Sequence, residues 1–192
     1  VDGAYDLGLG ASFYVNATQE PWAEHYQMYD YIVDELPALL AEHFPVDPAR
    51  ASIAGHSMGG HGALTLGLRN PQQYTSVSAF SPLCSPINSP WGQKALASYL
   101  GENKNDWLQY DALALLENSQ HCPPILIDQG EADEFLSEQL HPELFEQACE
   151  KKSREGTPYP VTLRRHLGYD HSYFFIATFI GEHIAFHASH FA

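Results

Sequence analysis

The chain has 192 residues, 44% hydrophobic and 17% charged, enough for one ordinary globular domain with its own core. Its formal net charge is −15, and its nine Lys and Arg form no cluster, which excludes nucleic acid and anionic membrane surfaces as partners. No apolar stretch approaches the ~20 residues that span a bilayer, and the start lacks the basic and apolar regions of a secretory signal.

Cys84, Cys122 and Cys149 are odd in number and widely spaced. They form neither a CxxC metal pair nor a disulfide framework, so a reducing compartment is expected. Asn16-Ala17-Thr18 matches a glycosylation sequon, which without an export signal reads as chance. The chain opens at Val1, without Met, in the loop-like "VDGAYDLGLGASF". That start reads as an entry point partway through a longer catalytic domain, with residues 1–192 as its C-terminal portion.

Along the chain, "HYQMYDYIVDELPALLAEHF" places Tyr26, Tyr29, Val33, Leu36, Leu40 and Phe44 at helical spacing, and Pro37 is expected to kink or divide that helix. "RASIAG" reads as a short buried strand and "GGHGALTLGLRNP" as a helix closed by Asn70-Pro71. "YTSVSAFSP" is a strand, followed by helical "GQKALASYLG", stopped by Gly101, and helical "DWLQYDALALLEN". "PPILIDQG" is a continuous apolar strand, as in a parallel sheet covered on both faces. "HPELFEQACEKKSREG" is a helix and "PVTLRRHL" a strand. "SYFFIATFIGEHIAFHASHF" is a closing helix with Ser172 as its expected cap. Strands alternating with helices predict a single α/β domain with a mostly parallel sheet and helices on both faces, whose chemistry gathers at the carboxyl ends of the strands.

Three strand exits carry a consistent chemistry. Gly55-His56-Ser57-Met58-Gly59 is G-x-S-x-G between a strand and a helix, where glycines permit a strained turn that lifts a serine hydroxyl clear of the sheet. The Met58 N–H would supply an oxyanion donor at the helix N-terminus. A serine needs a base, and the base an orienting acid. "IDQGEADEFL" offers Asp128, Glu131, Asp133 and Glu134; Asp128 lies in the strand and reads as structural, while Asp133 lies far enough beyond it to bend back, though spacing alone leaves the choice open. "GYDHSYFF" delivers His171 from a loop between the last strand and the closing helix. Nucleophile, acid and base thus follow in the order the hydrolase fold uses.

Bland readings compete elsewhere. His56 and His61 lack a Cys or carboxylate at metal-ligand spacing, and His183, His187 and His190 read as the polar face of a terminal helix, so no metal is expected. Trp91 is a candidate wall of the acyl pocket, in a segment from Pro82 to Asn118 expected to roof the site; a core tryptophan is the competing reading.

"GHSMGGHGAL", "YTSVSAFSP", "PWGQKALASYLG", "IDQGEADEFL" and "GYDHSYFFIATFI" together resemble the S-formylglutathione hydrolases, the esterase D family of α/β-hydrolases, and the resemblance runs over essentially the whole chain. It implies hydrolysis of S-formylglutathione to formate and glutathione in formaldehyde detoxification, with no cofactor, in the cytosol. It allows a homodimer. Residue by residue, it places the nucleophile on Ser57, the acid on Asp133 and the base on His171. It also implies preceding strands and a second oxyanion donor upstream of Val1. A general short-acyl carboxylesterase and a non-catalytic hydrolase-fold module are the alternative readings.

Overall fold

A computed structural model describes residues 4–191 of the chain. Up to Gln27 the backbone forms turns, held by an antiparallel bridge between Asn16 and Gln27. This stretch is ordered by burial: Phe13, Val15 and Trp22 pack with Leu96, Tyr99 and Trp107 in one apolar cluster. The first helical segment then runs through α1 (Met28–Asp30), a π-turn (Tyr31–Glu35) and α2 (Leu36–His43). The expected break at Pro37 is thus taken up by a wider turn just before it. Pro37 has no N–H for the carbonyl of Val33, and Gln73 Nε2 donates to that carbonyl instead, at 2.7 Å.

The sheet begins with β1 (Ala51–His56), crosses through α3 (Met58–Arg69) to β2 (Tyr74–Phe80), and continues through α4 (Pro90–Leu100), α5 (Lys104–Trp107) and α6 (Ala112–Asn118) to β3 (Ile125–Gly130). Next come α7 (Pro142–Arg154), β4 (Val161–His166) and α8 (Tyr173–Ser189). Among the described residues the sheet has four strands in the order β1-β2-β3-β4, all parallel. The helical reading of "DWLQYDALALLEN" breaks at Asp111, whose carboxylate accepts the Ala114 N–H at 2.9 Å and caps a new helix. Gly101 does end α4, at φ 82°. Ser172 occupies the cap position of α8, but its hydroxyl makes no capping bond.

Strand alternation divides the two faces. Ile53, Val77, Ala79, Ile125, Ile127, Val161 and Leu163 point to one side and pack with Ala63, Leu64 and Leu68 of α3, Leu116 of α6 and Phe145 of α7. The other face, under α8, is polar. Ser76 and Ser78 hydrogen-bond the two ring nitrogens of His187, each at 2.8 Å. Asp128 receives Arg164 through two bonds of 2.6 Å and His183 Nε2 at 3.1 Å. The histidines of α8 therefore do not make a solvent-facing polar stripe. His183 is 1% exposed, stacked on Phe80 at 3.8 Å, while Ile184 is 63% exposed on the outer side. Buried polar sheet residues on this face require polar partners, which inverts the helix. Among the described residues no helix is long and apolar enough to cross a membrane.

Candidate active site

At the end of β1 the backbone turns sharply: Ser57 sits at φ 57° and ψ −117°, a region serine rarely adopts, and α3 starts at the next residue. The turn is pinned on both sides. Ser57 N–H donates to the Phe80 carbonyl at 2.9 Å, and the Ser57 carbonyl accepts His61 N–H at 2.9 Å. A Cβ on Gly55 would stand 2.0 Å from the Gly59 carbonyl oxygen, so only glycine fits there. Gly59, given the same task in the sequence reading, has room: its Cβ would meet only Tyr14 Oη, at 3.8 Å. The close approach falls instead to Gly60, against Pro82 at 2.9 Å, and Gly62, against the Tyr14 ring at 2.3 Å. Gly59 differs because the first turn of α3 directs it toward the open side. Met58 N–H opens α3, where backbone donors lack intrahelical acceptors and the dipole favours negative charge.

The exits of β3 and β4 are pressed together backbone to backbone. Ala132 N–H donates to the Tyr169 carbonyl at 2.9 Å, and Glu131 N–H to the His166 carbonyl at 3.0 Å. A side chain on Gly130 would meet the Tyr169 carbonyl oxygen at 2.3 Å. This contact brings Asp133 to His171: His171 Nδ1 lies 2.6 Å from Asp133 Oδ2. The other oxygen of Asp133 accepts Phe135 N–H at 2.9 Å. Burial opposes ionisation of Asp133, yet the bonds from His171, Phe135 and Ser81 hold its carboxyl below the ordinary range. Of the four carboxylates offered by the sequence, Glu131 and Glu134 are exposed and Asp128 is committed to Arg164 and His183.

Ser57, Met58 and His171 line one cleft of about 1020 Å³, with Tyr14, His56 and Tyr173 beside them. The His56 ring lies 4.5 Å from that of His171. Burial foremost, then the His171 charge, pushes His56 down to about 4, so it is neutral near pH 7. From Ser57 the cleft continues along β1 past Ile53 to Leu36 and Leu40. Trp91 is not brought to this cleft. Its Nε1 donates to the Asp6 carbonyl at 3.0 Å and its ring meets Phe13 edge-on at 5.1 Å, which suits the core reading. Sequence reasoning missed Tyr14, Gln129 and Ser81 near the site; a buried glutamine closing an apolar strand was the available signal for Gln129.

A parallel sheet, a strained serine between β1 and α3, and carboxylate and imidazole loops at the next exits define an α/β-hydrolase fold. The chain belongs to the family described as "Putative esterase", whose sequence model matches residues 1–186. It is similar to the structure of an S-formylglutathione hydrolase from Agrobacterium tumefaciens, with 49% identity and a TM-score of 0.92 over 98% of this chain and 66% of that one. A fluorophosphonate-binding serine hydrolase of Staphylococcus aureus matches 91% of this chain and 66% of its own length, at 23% identity and a TM-score of 0.69. A ferulic acid esterase matches 96% and 67%, at 19% identity and a TM-score of 0.72. The first two matches thus leave about a third of each solved chain outside the region compared.

Proposed function

We propose that this chain carries the catalytic triad of a serine thioesterase that hydrolyses S-formylglutathione to formate and glutathione, with Ser57 as nucleophile, His171 as base and Asp133 as acid. The observation that carries the reaction class is the strained Ser57 turn sharing a cleft with the His171–Asp133 pair. The substrate rests on the 49% identity to the Agrobacterium tumefaciens structure. Such a substrate belongs in the cytosol, where glutathione is kept reduced.

In this mechanism His171 Nε2 takes the Ser57 proton as Oγ bonds to the formyl carbon. The negative charge on the former carbonyl oxygen meets Met58 N–H, and ionised Asp133 holds the imidazolium at Nδ1. Collapse breaks the C–S bond, and the sulfur departs as a thiolate, which takes up the imidazolium proton. With a pKa of about 8.5 a thiol leaves more easily than an alcohol, so acid assistance matters less than for esters. Water then attacks the formyl-serine, giving one proton to His171; that proton returns to Ser57 Oγ as the C–O bond breaks, and the formic acid released ionises in solvent to formate.

We further propose that residues 1–192 are the C-terminal portion of the catalytic domain. Among the described residues β1 pairs on one side only, and the cleft runs along its free edge. Strands added there would cover Leu40 and Val46, which are exposed and line that cleft. A preceding loop would bring a second oxyanion donor, whose loss costs ~100- to 1,000-fold in turnover. Expression with and without the upstream reading frame tests this: full activity from residues 1–192, intact by mass spectrometry, would contradict it. Comparing kcat/KM for S-formylglutathione with that for p-nitrophenyl acetate tests the substrate, and a preference for the ester by orders of magnitude overturns it.

A further inference from the structure

Gln129 and Ser81 are both fully buried polar residues in unfavourable local circumstances. Gln129 Nε2 lies 3.0 Å from the Gly130 carbonyl oxygen and 3.3 Å from each of Ser81 Oγ and Asp133 Oδ2. Carbonyl and carboxylate oxygens only accept, so the amide must turn its NH₂ toward them. Its Oε1 is then left buried without a hydrogen-bond partner among the described residues. An orphaned buried acceptor is a penalty that an aliphatic side chain of similar volume would avoid.

Ser81 is held at φ 40°, in the left-handed region that favours glycine, by its N–H donating to the Asp128 carbonyl at 2.8 Å. Its hydroxyl lies 3.3 Å from Gln129 Nε2, and it helps to hold the Asp133 carboxyl below its ordinary range. An orphaned amide oxygen and a strained serine thus occur together around a single carboxylate, and neither adds to the apolar core.

We infer that Gln129 and Ser81 are positioning residues: the Gln129 amide, braced by Ser81, orients the Asp133 carboxylate toward His171 Nδ1. The inference rests on the proposed role of Asp133 as the acid of the triad. The backbone of Phe135 fixes only Oδ1; Gln129 Nε2, itself 3.3 Å from Ser81 Oγ, acts on Oδ2, the oxygen His171 uses. Fewer donors leave Oδ2 more basic, so the carboxylate holds the Nδ1 proton more tightly and His171 releases its Nε2 proton only at higher pH. The titratable groups facing Asp133 besides His171 are His56, whose ring is tilted against that of His171, and Asp170 on the loop of His171.

The test uses the protein expressed from its full reading frame, with variants Gln129→Leu, Gln129→Glu and Ser81→Gly. Glycine accepts the φ of Ser81, so that change removes the hydroxyl without adding strain. Two readouts are taken: the acidic limb of the kcat/KM profile for p-nitrophenyl acetate, and the titration of the His171 ring by NMR, which needs no turnover. The expected result is an upward shift of about 0.5 to 1 pH unit in both for Gln129→Leu and Ser81→Gly, larger for Gln129→Glu, where a second carboxylate faces Asp133. kcat falls about tenfold while KM stays within about twofold. A fall in kcat with His171 titrating as in the parent would assign the pair a structural role and overturn the inference, as would no change in either readout. If Gln129→Leu fails to fold, Ser81→Gly decides between these outcomes. If the parent neither turns over ester nor is labelled at Ser57 while the His171 titration still shifts in the variants, the donor pair stands and the hydrolase reading fails.

Discussion

His171 Nδ1 stands 2.6 Å from Asp133 Oδ2 across 38 residues of sequence, because the loops bearing them are zipped together by backbone hydrogen bonds. The pair fixes the imidazole tautomer: Nδ1 carries the proton facing the carboxylate, and Nε2 is free to accept one from a hydroxyl. Asp133→Asn keeps the shape and removes that constraint. It is expected to lower kcat about 10⁴-fold with little change in melting temperature. Steady-state kinetics beside a thermal melt checks this, and a loss below about tenfold would remove Asp133 from the proposed triad.

The elbow makes a contrast within one motif. Gly55→Ala drives a methyl into the Gly59 backbone at 2.0 Å, whereas Gly59→Ala meets nothing nearer than 3.8 Å. The first is expected to destabilise the fold by about 3 kcal/mol or more, in the upper range of overpacking. The second lies within a helix and is expected to be neutral or to stabilise by up to about 1 kcal/mol. Denaturant unfolding of both variants measures the difference. Equal losses would mean that the turn does not have this geometry.

Acid should weaken the fold in two windows. Burial foremost, with the charges of His183 and His190, pushes His187 down to about 4, so folded His187 stays neutral where the unfolded chain already binds a proton near pH 6.5. Between those values the unfolded state holds more protons, and stability falls as pH is lowered. Below about pH 4 a second loss begins. Burial opposes the Asp128 charge, but His183, Arg164 and His166 hold its carboxyl far below the usual range, so its contribution is complete above the unfolded value and disappears in stronger acid. His187→Gln retains a donor and an acceptor but does not titrate, and is expected to flatten the slope between pH 6.5 and 4 in urea unfolding. An unchanged slope would exclude His187 as its source.

Much of this was legible in the sequence. Each β-strand falls within two residues of the segment read as a strand, because a parallel sheet with one well-packed face writes its strands as short apolar segments between turns. The strained turn at Ser57 was legible because it requires Gly55 at a fixed offset. The inward face of α8 was not: its histidines look polar by composition, and only the serines and Asp128 of the facing strands explain why they turn inward. Trp91 failed as a pocket wall for a related reason. Its place is set by Phe13 and Asp6, far away in sequence, and no local pattern records that packing. Gln129 and Ser81 reach Asp133 through side-chain bonds of low local signal, and periodicity does not mark them.

The most direct measurement of the central claim is covalent labelling of the full-length protein with a fluorophosphonate, mapped by mass spectrometry. The account predicts one adduct on Ser57, lost in Ser57→Ala and slowed at least a thousandfold in His171→Ala. Folded protein that remains unlabelled, or that carries its adduct on another residue, would contradict it.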